Sequence, residues 1–326
     1  MNFTVLGAGS WGTALALHLA SAGHKVVLWG RDPNHMQEMQ RHRCNVYYLP
    51  NIPFPSTLTL ESLLPQAIQD ADVVLLATPS HGVVDMLHAL QLHVTAEQRL
   101  LLASKGLSQG RWLHEVIESI CPRLTYAVLS GPSFAKEVAQ GLPTAVIIAS
   151  HDPVFAQALA AAFSSQLFRV YTHADMIGVE VGGAVKNVLA VAVGISDGMG
   201  FGANARAALM TRGLAEMTRL GLALGAQSST LVGLSGLGDL MLTCTDNQSR
   251  NRRFGLAIGE GKTIVEAEQS VGQVVESVRT SAELFEVAQR MSLDLPIIEQ
   301  IYHVIHQGLS SQEAVQRLFA RALRAE

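Results

Sequence analysis

The sequence predicts an α/β protein, with a doubly wound parallel sheet in its N-terminal half and an all-helical domain after it. Three observations predict this. Short β-branched runs alternate with amphipathic stretches over the first half of the chain, several of those runs are apolar without interruption, and strand-like runs thin out after about residue 175. Strands alternating with helices give a sheet covered on both faces. An unbroken run such as Val73-Val74-Leu75-Leu76-Ala77 suits a strand buried on both sides.

Strands are expected at residues 3–6, 25–29, 73–77, 100–103, 126–129 and 145–149, with helices between them at 12–22, 83–92 and 111–120. The later helices are expected at 179–196, 205–224, 278–290, 297–306 and 311–323. Pro296 heads one of them, at the first-turn position proline favours. The domains so defined are 1–175 and 176–326, with no Pro/Gly/Ser-rich linker marking the boundary.

Composition narrows the function classes. A chain of 326 residues suits two domains, and 48% hydrophobic against 15% charged residues argues against disorder and coiled coil. A net charge of −4 gives no overall footprint for nucleic acid or anionic lipid. Cys44, Cys121 and Cys244 are odd in number and far apart, so neither a disulfide framework nor a zinc site is expected. The N-terminus runs directly into a glycine-rich turn without the pattern of a signal peptide. The most apolar later segment, 187–196, is far short of the ~20 residues a membrane span needs. The expectation is a cytoplasmic protein with no stable membrane insertion and no nucleic-acid partner.

Residues 7–12 read Gly-Ala-Gly-Ser-Trp-Gly, a G-x-G-x-x-G between a strand and a helix. Gly7 permits the tight turn, Gly9 lets a pyrophosphate approach the backbone, and Gly12 permits close helix–strand packing. The helix N-terminus then presents unpaired amides to phosphate oxygens. This is the Rossmann-type signature for a dinucleotide. An NAD site usually places an acid at the end of the second strand, but here the sequence is Trp29-Gly30-Arg31-Asp32. Gly30 holds the acidic position and Arg31 suits a 2′-phosphate, which favours NADP(H). A one-residue error in the strand end would instead make Asp32 the ribose acid, so NAD(H) stays open.

Reducing a ketone by hydride leaves an alkoxide to be protonated, so a positioned acid is needed. Lys186 lies in the apolar helix Gly-Gly-Ala-Val-Lys-Asn-Val-Leu-Ala-Val, where a charge is costly. Either its ammonium is buried for proton transfer or it snorkels to water. Lys105 and the segment Ser130-Gly131-Pro132-Ser133-Phe134-Ala135 each follow a strand at its ligand-facing end. In the helical half, Gly236-Leu237-Gly238-Asp239 precedes Asn247-Gln248-Ser249-Arg250-Asn251-Arg252-Arg253, an arginine cluster read as an anion site at a helix start and hence suited to a small phosphorylated substrate. The alternative is a solvated basic face, a reading that stays open for Arg252 and Arg253. Gly259-Glu260-Gly261-Lys262-Thr263 fails as a P-loop, because Leu256 stands where its first glycine belongs. His303 and His306 share a helix face without a third ligand, so no metal site is expected.

Together these motifs, with the run from Ser196 to Glu216 and Cys244-Thr245-Asp246-Asn247-Gln248-Ser249-Arg250-Asn251, resemble bacterial-type NAD(P)-dependent glycerol-3-phosphate dehydrogenase. The resemblance runs in order from Val5 to at least Glu276, with Trp11 where a smaller aromatic is common. It implies reversible reduction of dihydroxyacetone phosphate to sn-glycerol 3-phosphate, feeding phospholipid synthesis. It also implies that Lys186 is the proton donor and acceptor. Lys105, Gly131, Ser133, Asn187, Asp239, Thr243, Ser249, Arg250 and Asn251 would surround the substrate. Ser10, Trp11, Arg31, Tyr48, Lys105, Ala135, Arg250, Val274 and Glu276 would line the cofactor beside the three glycines. The helical domain is similar to that of the 6-phosphogluconate dehydrogenase group, which implies a homodimer. Two other readings remain: a related hydroxyacid dehydrogenase, which would not need the Ser-Arg-Asn cluster, and a cofactor sensor without a proton donor.

Overall fold

A computed structural model describes residues 1–321. The chain divides into two compact units, Met1–Glu180 and Val181–Glu326, the division falling inside one long helix and not at residue 175. The end of the second unit, and the last two residues of the helix expected at 311–323, lie outside the described residues.

The first unit is built on an eight-stranded sheet. Its strands are β1 (Asn2–Leu6), β2 (Lys25–Trp29), β3 (Leu58–Glu61), β4 (Val73–Leu76), β5 (Arg99–Leu102), β6 (Tyr126–Ser130), β7 (Thr144–Ala149) and β8 (Phe168–His173). Their order is β8-β7-β6-β5-β4-β1-β2-β3, with only the β6–β7 pair antiparallel. Chain direction of winding reverses between β1 and β4, the crevice where open sheets bind ligands. Both faces are apolar. Phe3, Val5, Leu15, Phe155 and Phe163 pack on one side, and Leu6, Val74, Leu76, Leu87 and Ile117 on the other. Every expected strand is present. The helix expected at 111–120 begins at Leu113, because Arg111–Trp112 pairs as a short strand with Leu107–Ser108.

Among its described residues the second unit has helices as its only regular elements, joined by turns and loops. Its helices include Gly202–Ala223, Asp239–Thr245, Arg250–Gly259, Ile264–Val271, Glu276–Arg290, Pro296–Gln307 and Ser311–Phe319. The apolar segment 187–196 proves to be part of the 23-residue helix Met176–Gly198. By length and composition that helix could cross a membrane, so the short-segment argument does not hold, but 94% of its most apolar window is buried within the protein. Where it meets Arg250–Gly259 the two backbones touch. A Cβ on Gly194 would lie 2.3 Å from the Arg252 carbonyl oxygen, and one on Gly255 would lie 2.2 Å from that of Val191. This close crossing brings Asn187 within hydrogen-bond reach of Asn251.

Candidate active site

In the first unit the glycine turn sits at the end of β1. Gly7 has φ +117°, and a Cβ there would meet the Ala77 carbonyl oxygen at 2.8 Å; one on Gly12 would meet the Gly7 oxygen at 1.9 Å. A Cβ on Gly9, by contrast, would have nothing within 4 Å. The backbone at Gly9 is therefore open to a ligand while its neighbours are closed. Helix Ser10–Ser21 starts there with no acidic residue in its first turn, which leaves the positive end of its dipole to an anion. A dinucleotide pyrophosphate fits that cradle.

Two side chains tie the turn down. Ser10 Oγ donates to the Tyr48 carbonyl (3.1 Å), and Trp11 Nε1 donates to that of Ala103 (3.2 Å), two residues before Lys105. Sequence reasoning missed a third, Asn45. Fully buried, its amide Nδ2 donates to the Ala8 carbonyl and to Thr13 Oγ1, and its Oδ1 accepts from the Tyr48 amide at 3.2 Å. Asn45 thus clamps the Tyr48 loop against the glycine turn. A single asparagine in a turn-rich stretch gives no such signal by itself.

At the end of β2 a Cβ on Gly30 would come 2.4 Å from Met36 Sδ and 3.0 Å from the Ala8 Cβ. That position is sterically small. Asp32 is the N-cap of helix Pro33–His42, its carboxylate accepting from the Asn34 amide at 2.9 Å. Arg31 is exposed and brought together with none of the other candidates by a hydrogen bond. Beyond β5 and β6 the candidates converge. Lys105 Nζ donates to the Gly131 carbonyl at 3.4 Å, and Ser133 Oγ donates to the same oxygen at 3.0 Å. Gly131 has φ +131°, with Val146 Cα only 3.0 Å from where its Cβ would stand. Ala135 opens the short helix Ala135–Ala139.

In the second unit Lys186 does not snorkel. It is 7% exposed, and its ammonium donates to Asp239 Oδ1 at 2.5 Å, a carboxylate that is itself 1% exposed. Asp239 heads its helix directly after the π-helical turn Leu234–Gly238, an irregularity common at functional sites. Thr243, one turn on, donates from Oγ1 to the Asp239 carbonyl at 2.6 Å. Asn251 Nδ2 donates to Asn187 Oδ1 at 2.9 Å, and Asn251 Oδ1 accepts from the Ser277 amide, next to Glu276 at the head of its own helix. Arg250 Nη1 donates to the exposed Val274's carbonyl at 3.1 Å. Ser249 is the N-cap of Arg250–Gly259, its Oγ accepting from the Arg252 amide.

The solvated-face reading of Arg252 is overturned. It is 7% exposed, and its guanidinium is engaged by Cys244, Asn247 and Asp197. Cys244 takes part through its carbonyl; burial pushes its thiol up to about 12, so it is no nucleophile. Of the discarded segment 259–263, Gly259 ends helix Arg250–Gly259, and Thr263 caps Ile264–Val271. His303 and His306 are hydrogen-bonded to Gln307 and to the Val278 carbonyl respectively.

Comparison with known proteins accords with this geometry. Residues 2–156 match the family described as NAD-dependent glycerol-3-phosphate dehydrogenase N-terminus, and residues 175–316 match its C-terminus. The chain is 52% identical to glycerol-3-phosphate dehydrogenase [NAD(P)+] of Serratia proteamaculans, covering 100% of this chain and 97% of that one. The Bartonella tribocorum protein of the same name is 51% identical over 99% and 98%. Among solved structures, glycerol-3-phosphate dehydrogenase from Coxiella burnetii superimposes with a TM-score of 0.96 at 47% identity, covering 98% of this chain and 99% of that one. With both halves of the family matched and half the residues identical over the full length, the chain belongs to the NAD-dependent glycerol-3-phosphate dehydrogenase family.

Proposed function

We propose that this chain is an oxidoreductase that reduces dihydroxyacetone phosphate to sn-glycerol 3-phosphate, reversibly, with NADP(H) or NAD(H). It would supply glycerol phosphate for phospholipid synthesis in the cytoplasm, acting as a homodimer. The observation that carries the reading is the buried Lys186–Asp239 pair in a chain of this family.

The reduced nicotinamide, when bound, supplies the hydride to the carbonyl carbon. Lys186 donates a proton to the carbonyl oxygen as negative charge develops there, and takes it back in the reverse direction. Asp239 holds the ammonium in place, and Thr243 braces the turn that carries Asp239. Arg250, with Ser249 and Asn251, holds the substrate phosphate, and Asn187 a polyol oxygen; Lys105, Gly131 and Ser133 complete the substrate set. Gly7, Gly9 and Gly12 shape the pyrophosphate cradle, with Ser10, Trp11 and Tyr48 fixed around it. Arg31 reads the ribose 2′-phosphate, and Ala135, Val274 and Glu276 line the rest of the cofactor.

The test is NADPH oxidation with dihydroxyacetone phosphate, compared with unphosphorylated dihydroxyacetone. A preference for the phosphorylated ketone of at least about tenfold in kcat/KM is expected from one charge-assisted anion contact. Equal rates would assign the chain to a dehydrogenase of an unphosphorylated substrate.

A further inference from the structure

Arg252 is a cation taken out of water without being offered to a ligand. Its guanidinium uses all three nitrogens inside the second unit. Nε donates to the Cys244 carbonyl at 2.9 Å, Nη1 to Asn247 Oδ1, and Nη2 to Asp197 Oδ2 at 2.6 Å. The Asp197 side chain is 6% exposed and receives Arg206 Nε on both oxygens at 3.1 Å. One carboxylate thereby joins the last turn of Met176–Gly198, helix Gly202–Ala223 and helix Arg250–Gly259.

The segment this network grips is short. Between the helices Asp239–Thr245 and Arg250–Gly259 lie only residues 246–249, and Arg252 holds the Cys244 carbonyl in the last turn of the first helix and the side chain of Asn247 within the segment. Its own backbone amide is taken by Ser249 Oγ. The planar fork fixes all three acceptors at set angles, which a lysine's single ammonium cannot do. A buried ion pair adds little net stability, because desolvation offsets the attraction, and its better-attested use is to specify geometry. Its neutralised charge also separates Arg252 from Arg250, which is only partly buried and reaches the Val274 carbonyl beside it.

From this arrangement we infer that Asp197 and Arg252 are positioning residues for the substrate's phosphate, holding the Asn247–Asn251 segment so that Ser249, Arg250 and Asn251 meet the anion together. The inference rests on the proposed phosphate role of Arg250 and adds the device that aims it.

The experiment compares R252K, N247A and R250A with the wild type, measuring kcat/KM for dihydroxyacetone phosphate and for dihydroxyacetone, and KM for NADPH. R252K retains a charge for Asp197 but loses the fork. N247A removes one acceptor at an exposed residue, so it remains informative should R252K fold poorly. R252K should lower kcat/KM for the phosphorylated ketone by about 10- to 100-fold, and N247A by about 3- to 10-fold. The unphosphorylated ketone should change less than about twofold in both variants, on the same free-energy scale; KM for NADPH, which Arg250 is also expected to line, is measured so that a loss of cofactor is separated from a loss of phosphate. A merely structural role would depress both ketones alike, and that result overturns the inference. Wild-type discrimination in both R252K and N247A, with selective loss in R250A, overturns the positioning role alone. Equal losses for both ketones in R250A refute the phosphate reading itself, and the role of the pair with it.

Discussion

Replacing Lys186 by Met tests the proton donor, and the structure shows that the substitution has two effects to separate. The first is chemical: a positioned general acid contributes about 10²–10⁴-fold, so turnover of dihydroxyacetone phosphate should fall by that order while NADPH still binds. The second is structural. Asp239 is 1% exposed and lies 2.5 Å from the lysine nitrogen, so the variant strips a buried carboxylate of its cation. Breaking such a pair costs roughly 3–5 kcal/mol, unless the carboxylate takes up a proton. Lys186→Met alone should therefore lower the melting temperature as well as the rate. Adding Asp239→Asn removes the stranded charge and should restore much of the stability, with no recovery of turnover. The assay pairs steady-state NADPH oxidation with thermal unfolding and NADPH fluorescence titration for wild type, both single variants and the double variant. Turnover in Lys186→Met above about a third of wild type would refute the proton-donor role, given the expected scale. So would a double variant in which turnover returns together with stability.

Three other outcomes are expected. Arg250→Ala should weaken dihydroxyacetone phosphate about 10- to 150-fold and dihydroxyacetone much less, and similar losses in the two KM values would remove Arg250 from the phosphate site. Arg31→Ala should raise KM for NADPH about 5- to 30-fold and leave NADH nearly unchanged, with added salt eroding the wild-type NADPH advantage; parallel losses for the two cofactors would give Arg31 a role in the adenosine or the fold. Glu216 is buried beneath the Ile297 and Ile298 amides, and burial pushes its carboxyl up to about 7. The folded protein therefore holds this proton more tightly than the unfolded chain, so the contribution is complete below about pH 4.5 and is lost as pH rises through about 7. Glu216→Gln should flatten that slope, by roughly 3 kcal/mol at most, in denaturant unfolding of both proteins from about pH 4.5 to 8; curves of equal slope would show that Glu216 does not titrate there.

What the sequence made legible follows where burial lies. The inner strands, such as β4 and β5, are apolar on both faces and could be read as continuous runs. The two large-sheet strands that escaped, β3 and β8, are its two edges, where exposed positions break the run. Helix Arg250–Gly259 was legible only as a helix start at the arginine cluster; its extent was not, because Arg250, Asn251, Arg252 and Arg253 crowd its first turn and its apolar face shows only later. Within the candidate site, residues on family motifs were legible, and Lys186 was also conspicuous as a lone charge in an apolar run. Their partners were not. Asn45 and Asp197 act through contacts 37 and 55 residues away in sequence, and nothing local marks a polar side chain that will be buried by a distant element.

The crossing of Met176–Gly198 with Arg250–Gly259 has a consequence for how the chain is made. Its small residues fall four apart on both helices, at Gly194 and Gly198 and at Gly255 and Gly259, the G-x-x-x-G spacing usual where helices associate in lipid. The first helix leaves the ribosome about fifty residues before the second begins. Through that interval its Gly194–Gly198 face awaits the backbone that will cover it, and such transiently bare surface is prone to aggregation. A fragment ending before Arg250 would leave its Gly194–Gly198 face bare. Truncations meant to isolate the helical half should therefore retain the chain at least to Gly259, and a nascent chain stalled in that window would be the form most readily captured by a chaperone.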